Sequence, residues 1–198
     1  MRPIEFEHQQ VLFKAMNCFW LHGYQASSMA LLLKAMGISR SSFYNSFGDK
    51  QRLYGECLSL YVDQVLTVWR LLEKQHSGLD LLRQFFLLTL TQQSLVPLHQ
   101  GCLLVSSVSE FSGVDEVLHQ QVLQQFSRVK KHWQQALESA GVKNPDLIVE
   151  WLLSLLMGWR LQGQAGLSGE SLAQQINWSF DQLEATGTIN LTKQNSPG

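Results

Sequence analysis

An all-α fold of about nine helices is predicted by three features of this 198-residue chain. Apolar residues recur at spacings of three and four along most of its length, which puts them on one face of a helix. Serine, aspartate and glycine stand where such segments would start and stop. No stretch alternates apolar and polar residues over the length of a strand. The elements divide into a three-helix helix-turn-helix domain at residues 1–48 and a larger helical domain at 49–186. A tail at 187–198 is too poor in apolar residues to hold itself to a core.

The first helix is expected over Glu5–His22, with Leu12, Ala15, Met16 and Phe19 inward and Gly23 as its stop. Ser28 caps a second helix running to about Ala35, because its hydroxyl can accept a backbone N–H that lacks an intrahelical partner. Gly37 ends it, Ile38 plugs the turn, and Ser39 caps a third helix, Arg40 to about Phe47. Phe43 and Phe47 lie one turn apart as inward anchors. Asp49 caps a long helix from Lys50 to about Gln75, whose stripe holds Tyr54, Cys57, Leu58, Tyr61, Val65, Val68, Trp69 and Leu72. After the Ser77-Gly78 turn come Leu79–Gln93, a loop containing Pro97, Gly101–Ser112 and, past Gly113, Asp115–Ala140. Two broad apolar helices, Pro145–Ala165 and Ser171–Thr186, complete the set.

Residues 27–50 carry the chemistry. The third helix has no acid and presents Arg40, Ser41, Ser42, Tyr44 and Asn45, a set of donors suited to base edges in a DNA major groove. The positions Phe19, Gly23-Tyr24, Ser27-Ser28, Gly37-Ile38-Ser39, Phe43-Tyr44, Phe47, Lys50 and Leu53 resemble the DNA-binding domain of TetR-family transcriptional regulators over roughly residues 8–55. The resemblance implies base contacts from Arg40, Ser41, Ser42 and Asn45, the last standing where the family often has histidine. For Arg40 a phosphate contact is the alternative. It also implies phosphate contacts from Tyr44 and Lys50, and from Ser27 and Ser28 at a helix N-terminus.

Charge agrees with that placement. The chain carries a net charge of -1, but residues 1–52 hold six Lys/Arg against three acids, so the positive end is the helix-turn-helix end. Cys18, Cys57 and Cys102 have neither disulfide nor zinc spacing, and no apolar segment reads as a leader or membrane span. A cytoplasmic protein with no cofactor, no metal and no membrane partner is expected.

The resemblance makes residues 49–186 an effector-binding and dimerisation domain. One reading helix covers only a few base pairs, so specific binding to double-stranded operator DNA calls for a homodimer. Trp151, Leu155, Trp159, Ile176, Phe180 and Leu183 are the expected interface, in a four-helix bundle; packing within one chain is the alternative. Trp69, Phe85, Phe86, Trp133 and Met157 are candidates to line an effector pocket, or to fill a core. The segment His99 to Val105, followed by Glu110, is similar to a Gly-Cys-Leu signature in the branch of the family that includes the electrophile-sensing repressor of N-ethylmaleimide reductase. Cys102 is then a candidate sensor in the first turn of its helix, with His99 nearby; a small buried residue is the plainer reading.

The function expected is a non-enzymatic, dimeric repressor released by a small molecule or by modification of Cys102. The alternatives are an effector-independent nucleoid or replication protein of the same fold and, from another class, a thiol enzyme using Cys102 with His99. A metal site drawn from His99, Cys102, Glu110 and His119 has no spacing to support it.

Overall fold

The computed structural model describes residues 3–91 and 101–185, with side chains from residue 8 onward. All nine described elements are helices: α1 (Pro3–His22), α2 (Met29–Met36), α3 (Arg40–Phe47), α4 (Lys50–Leu72), α5 (Gly78–Thr91), α6 (Leu103–Phe111), α7 (Glu116–Ser139), α8 (Pro145–Gln164) and α9 (Gly169–Ala185). The expected Pro97 loop, His99 and the tail at 187–198 lie outside the described residues.

Several helix ends differ from expectation by one to three residues, among them α1, which starts at Pro3, and α6, which starts at Leu103; two others have a clear local reason. Helix α4 stops at Leu72 instead of near Gln75, where the N–H groups of Gln75 and His76 both turn back onto the Leu72 carbonyl. Helix α9 starts at Gly169, two residues early, because Ser168 is its cap: the Ser171 N–H donates to Ser168 Oγ at 3.1 Å.

The chain forms two compact units, Met1–Val65 with Cys102–Ser127, and Leu66–Gly101 with Arg128–Gly198. Helices α4 and α7 each contribute residues to both.

In the first unit, Tyr24, Tyr54 and Phe111 meet edge to face with centroids 5.0–5.3 Å apart, and Phe19 sets its ring against Tyr54 at 4.8 Å. Such pairing adds about 0.5–1.5 kcal/mol per pair to the burial of the rings. Tyr54 is 1% exposed, yet its hydroxyl is satisfied. It donates to Ser107 Oγ at 2.7 Å, since Ser107 spends its own proton on the Leu103 carbonyl. Burial pushes the Tyr54 hydroxyl well above the usual tyrosine range, so it remains a donor throughout the range in which the protein folds.

The second unit is centred on Phe86. Its ring packs against Phe85, Trp133, Trp159 and Phe180 with centroids 5.0–6.0 Å apart. Helices α5 and α9 are tied at their rim by Arg83, which reaches Asp181 at 2.8 Å and Glu184 at 3.1 Å. No helix among the described residues is long and apolar enough to cross a membrane.

Candidate nucleic-acid interface

The reading unit is built from local rules. Ser28 caps α2 by accepting the Leu31 N–H at 3.2 Å. Gly37 then takes φ 73°, ψ 31°, and its N–H donates to the Leu33 carbonyl. A left-handed residue there is what allows α2 to end and the chain to reverse within three residues. Ser39 caps α3 by accepting the Ser42 N–H at 3.1 Å.

Helix α3 has two faces. Phe43 and Phe47 are fully buried, and Arg40, Ser41, Ser42, Tyr44, Asn45 and Ser46 are exposed. The six exposed positions include five hydrogen-bonding side chains of neutral charge and one guanidinium, with no carboxylate. Ser41 and Ser42 hydroxyls each lie 2.9 Å from Ser39 Oγ, which holds them near the helix N-terminus. Tyr44 stands edge-on to Phe43 at 5.2 Å and is braced with its ring half outside. Lys34 on α2 and Ser46 on α3 are exposed on the same small domain and were not among the expected contacts.

Two expected phosphate contacts change. Ser27 is fully buried and its hydroxyl donates to the Gly23 carbonyl at 2.6 Å, so it stabilises the α1–α2 loop from inside and offers nothing to a phosphate. Lys50 holds its ammonium 4.3 Å from the centroid of the Tyr24 ring, half-buried. Burial lowers its proton affinity and the Glu110 carboxylate opposes that shift. It is a braced cation rather than a free arm.

A residue whose role sequence reasoning missed orders this domain. Glu110 of α6 accepts two backbone hydrogen bonds from the α1–α2 loop: Tyr24 N–H to Oε2 at 3.0 Å and Gln25 N–H to Oε1 at 2.8 Å. These N–H groups lie 85 and 86 residues away in sequence, so periodicity carries no trace of the pairing. Gly23 enters the loop at φ 78°, and a Cβ there would meet both Glu110 oxygens at 3.4 Å.

Cys102 is the residue before α6, not in its first turn. Its side chain makes no cap; instead the Tyr61 hydroxyl donates to Sγ at 3.3 Å and the residue is buried. It belongs to the first unit, whereas Trp69, Phe85, Phe86 and Trp133 belong to the second. Those four are at most 3% exposed and pack ring against ring, so they act as core. Met157 is half-buried on α8.

The expected dimer face is also redrawn. Trp159, Ile176, Phe180 and Leu183 are buried within the chain, Trp159 and Phe180 against the Phe86 ring. The large apolar residues that α8 and α9 leave exposed are Leu147 at 67%, Leu161 and Trp178, both 66%, and Trp151, with Leu155 half-buried. A groove of ≈ 760 Å³ runs between these helices, lined by Leu155, Gly158 and Trp178 among others.

An all-helical chain with a capped helix-turn-helix and an acid-free reading face is, as a class, a helix-turn-helix DNA-binding protein. Residues 11–57 match the family described as bacterial regulatory proteins, tetR family. Over these residues the chain is similar to the DNA-binding domain of that family.

Among curated relatives, the HTH-type transcriptional repressor ComR of Escherichia coli K12 is 40% identical over 63 residues, which is 32% of this chain and 30% of ComR. The chain spans less than half the length of the first curated relatives it matches. The fold extends further. A cysteine-substituted TetR-family regulator CifR, solved with 26-bp double-strand operator DNA, superposes with a TM-score of 0.76 at 20% identity, over 87% of this chain and 94% of that one. Reduced E. coli NemR superposes with a TM-score of 0.72 at 22% identity, over 89% and 96%.

Proposed function

We propose that this chain is a dimeric transcriptional repressor of the cytoplasm that binds a palindromic double-stranded operator through α3 and is released by a small-molecule effector. The observation that carries the reading is the exposed, acid-free face of α3, with Arg40, Ser42, Tyr44 and Asn45 held by a capped N-terminus and two buried rings. Arg40 and Asn45 have the donor geometry for guanine and adenine edges, and Tyr44 and Lys50 for phosphate. Two copies are needed to read a site long enough to be specific, and exposed Leu161 and Trp178 supply the apolar face for pairing.

Release requires a path to the reading head. Glu110 ties α6 to the α1–α2 loop, so a displacement of α6 pulls on the segment that aims α2 and α3. An effector that prefers the displaced arrangement lowers DNA affinity by its difference in affinity for the two states. Modification of Cys102 is a second route. It is supported by the Tyr61 hydroxyl, which donates to the sulfur at 3.3 Å and so couples Cys102 to α4.

The test is selection of genomic fragments by the purified protein. One enriched palindrome, lost in Arg40→Ala and Asn45→Ala, is expected; no enriched sequence would refute a sequence-reading role. Treatment with N-ethylmaleimide separates the routes: the thiol route predicts release in the wild type and retention in Cys102→Ser. A palindrome bound regardless of any thiol reagent or metabolite would leave an effector-independent DNA-associated protein.

A further inference from the structure

Arg160 is 6% exposed on α8 and shares the buried face of that helix with Leu152, Leu156 and Gly163. Its Nε and Nη1 are buried and have no hydrogen-bond partner among the described residues. Five acids of the second unit are engaged elsewhere: Asp80 with His76, Asp181 and Glu184 with Arg83, Glu150 with Lys130, and Glu138 with Gln134. Residues 92–100 and 186–198 contain no aspartate or glutamate at all. No acceptor reaches Nε or Nη1 of Arg160 among the described residues.

A second group shares this state. Trp133 Nε1 on α7 is buried and also lacks an acceptor, in a residue 1% exposed. The orphaned buried atoms in this unit are thus all N–H donors. Both helices deliver a ring to one aromatic cluster: Trp133 packs on Phe86 at 5.0 Å, and Trp159, the chain neighbour of Arg160, packs on it at 5.7 Å.

A buried guanidinium with two unpartnered nitrogens is costly for a fold to hold, and leucine or methionine would fit an inward helix position better. Arginine there has a physical rationale if an anion is supplied from outside the chain. Its planar fork matches a carboxylate in two parallel bonds.

We infer that Arg160 is the anion-recognising residue of a ligand site in the second unit, and that the ligand is a small carboxylate with an aromatic or other apolar body. The carboxylate accepts from the guanidinium, the apolar body suits the buried face that Arg160 shares with Leu152 and Leu156, and Trp133 N–H is a further buried donor in this unit without an acceptor. This rests on the effector reading above and names the chemical class of its effector.

The test uses the full-length protein with a set of aromatic and aliphatic monocarboxylates, each paired with its primary amide, followed by calorimetry and thermal unfolding. Acids are expected to bind at least tenfold more tightly than their amides and to raise the unfolding midpoint with concentration. Arg160→Met is expected to lose that preference while unfolding, without ligand, at or above the wild-type midpoint. Arg160→Lys, which keeps the charge and loses the fork, should fold and bind the acids several-fold more weakly than wild type. Failure of every acid to bind the wild type, equal binding of acids and amides, or undiminished acid binding by both variants would overturn the inference. An operator-binding assay separates it from the broader reading. Acids that bind through Arg160 without releasing DNA would refute effector control and leave the site; release by an uncharged ligand, with no acid bound, would do the reverse.

Discussion

Replacing Glu110 with alanine removes both hydrogen bonds that its carboxylate accepts from the α1–α2 loop. A hydrogen bond to a charged group contributes about 1.5–3 kcal/mol, and less where water can replace it. The Gln25 N–H is exposed and rehydrates readily, whereas the Tyr24 N–H is partly buried and loses most of its bond. A net destabilisation of about 2 kcal/mol follows from one nearly full bond and one discounted bond. For a chain of this size that lowers the thermal midpoint by about 4–8 °C. Glu110→Gln retains one acceptor oxygen and turns an NH₂ group toward the other N–H, so it should fall between alanine and wild type. Urea unfolding followed by tryptophan fluorescence reads the global change, and amide hydrogen exchange reads the local one. Exchange at Tyr24 and Gln25 should quicken at least about tenfold, as expected when a local closing interaction is lost. A Glu110→Ala protein within about 0.5 kcal/mol of wild type, with unchanged exchange at those two amides, would refute the role assigned to this carboxylate.

Four further outcomes follow from the geometry. Gly37→Ala meets no atom within 4 Å, so its cost is backbone strain at φ 73° alone, about 1–2 kcal/mol in chemical denaturation. Ser39→Ala removes the cap of α3 and should cost about 1 kcal/mol, with a loss of DNA binding measurable by fluorescence anisotropy. Trp178→Glu places a charge on an exposed apolar face and should convert a dimer to a monomer by light scattering without lowering the stability of the chain itself. The Asp80 carboxyl is held below the usual range chiefly by its hydrogen bond from His76, against an opposing effect of burial. Its folded value being depressed, the stabilisation is complete above the unfolded value of about 4 and is lost as pH falls through the folded one. With the Asp80 side chain 56% exposed, the effect stays under about 0.5 kcal/mol, and His76→Ala should flatten the slope of stability between about pH 5 and 2.

The sequence by itself determined what depends on neighbours along the chain. The periodicity of three and four located the helices, and Ser28, Gly37, Ser39 and Asp49 marked their ends because caps act through backbone groups two or three residues away. It also separated Phe43 and Phe47 from the polar face of α3, since only one side of so short a helix can be inward. Tertiary structure decided everything that joins distant residues. It turned Ser27 inward onto Gly23, brought Glu110 to the backbone of Tyr24 and Gln25, and set Tyr61 on Cys102. It also chose between the apolar faces of α8 and α9, burying Trp159 and Phe180 and leaving Leu161 and Trp178 outside. A helix apolar on more than one side carries no mark of which side its own chain will cover. A buried arginine such as Arg160 becomes conspicuous only when its Nε and Nη1 are found without an acceptor, because local patterning records the spacing of charges and not their three-dimensional partners.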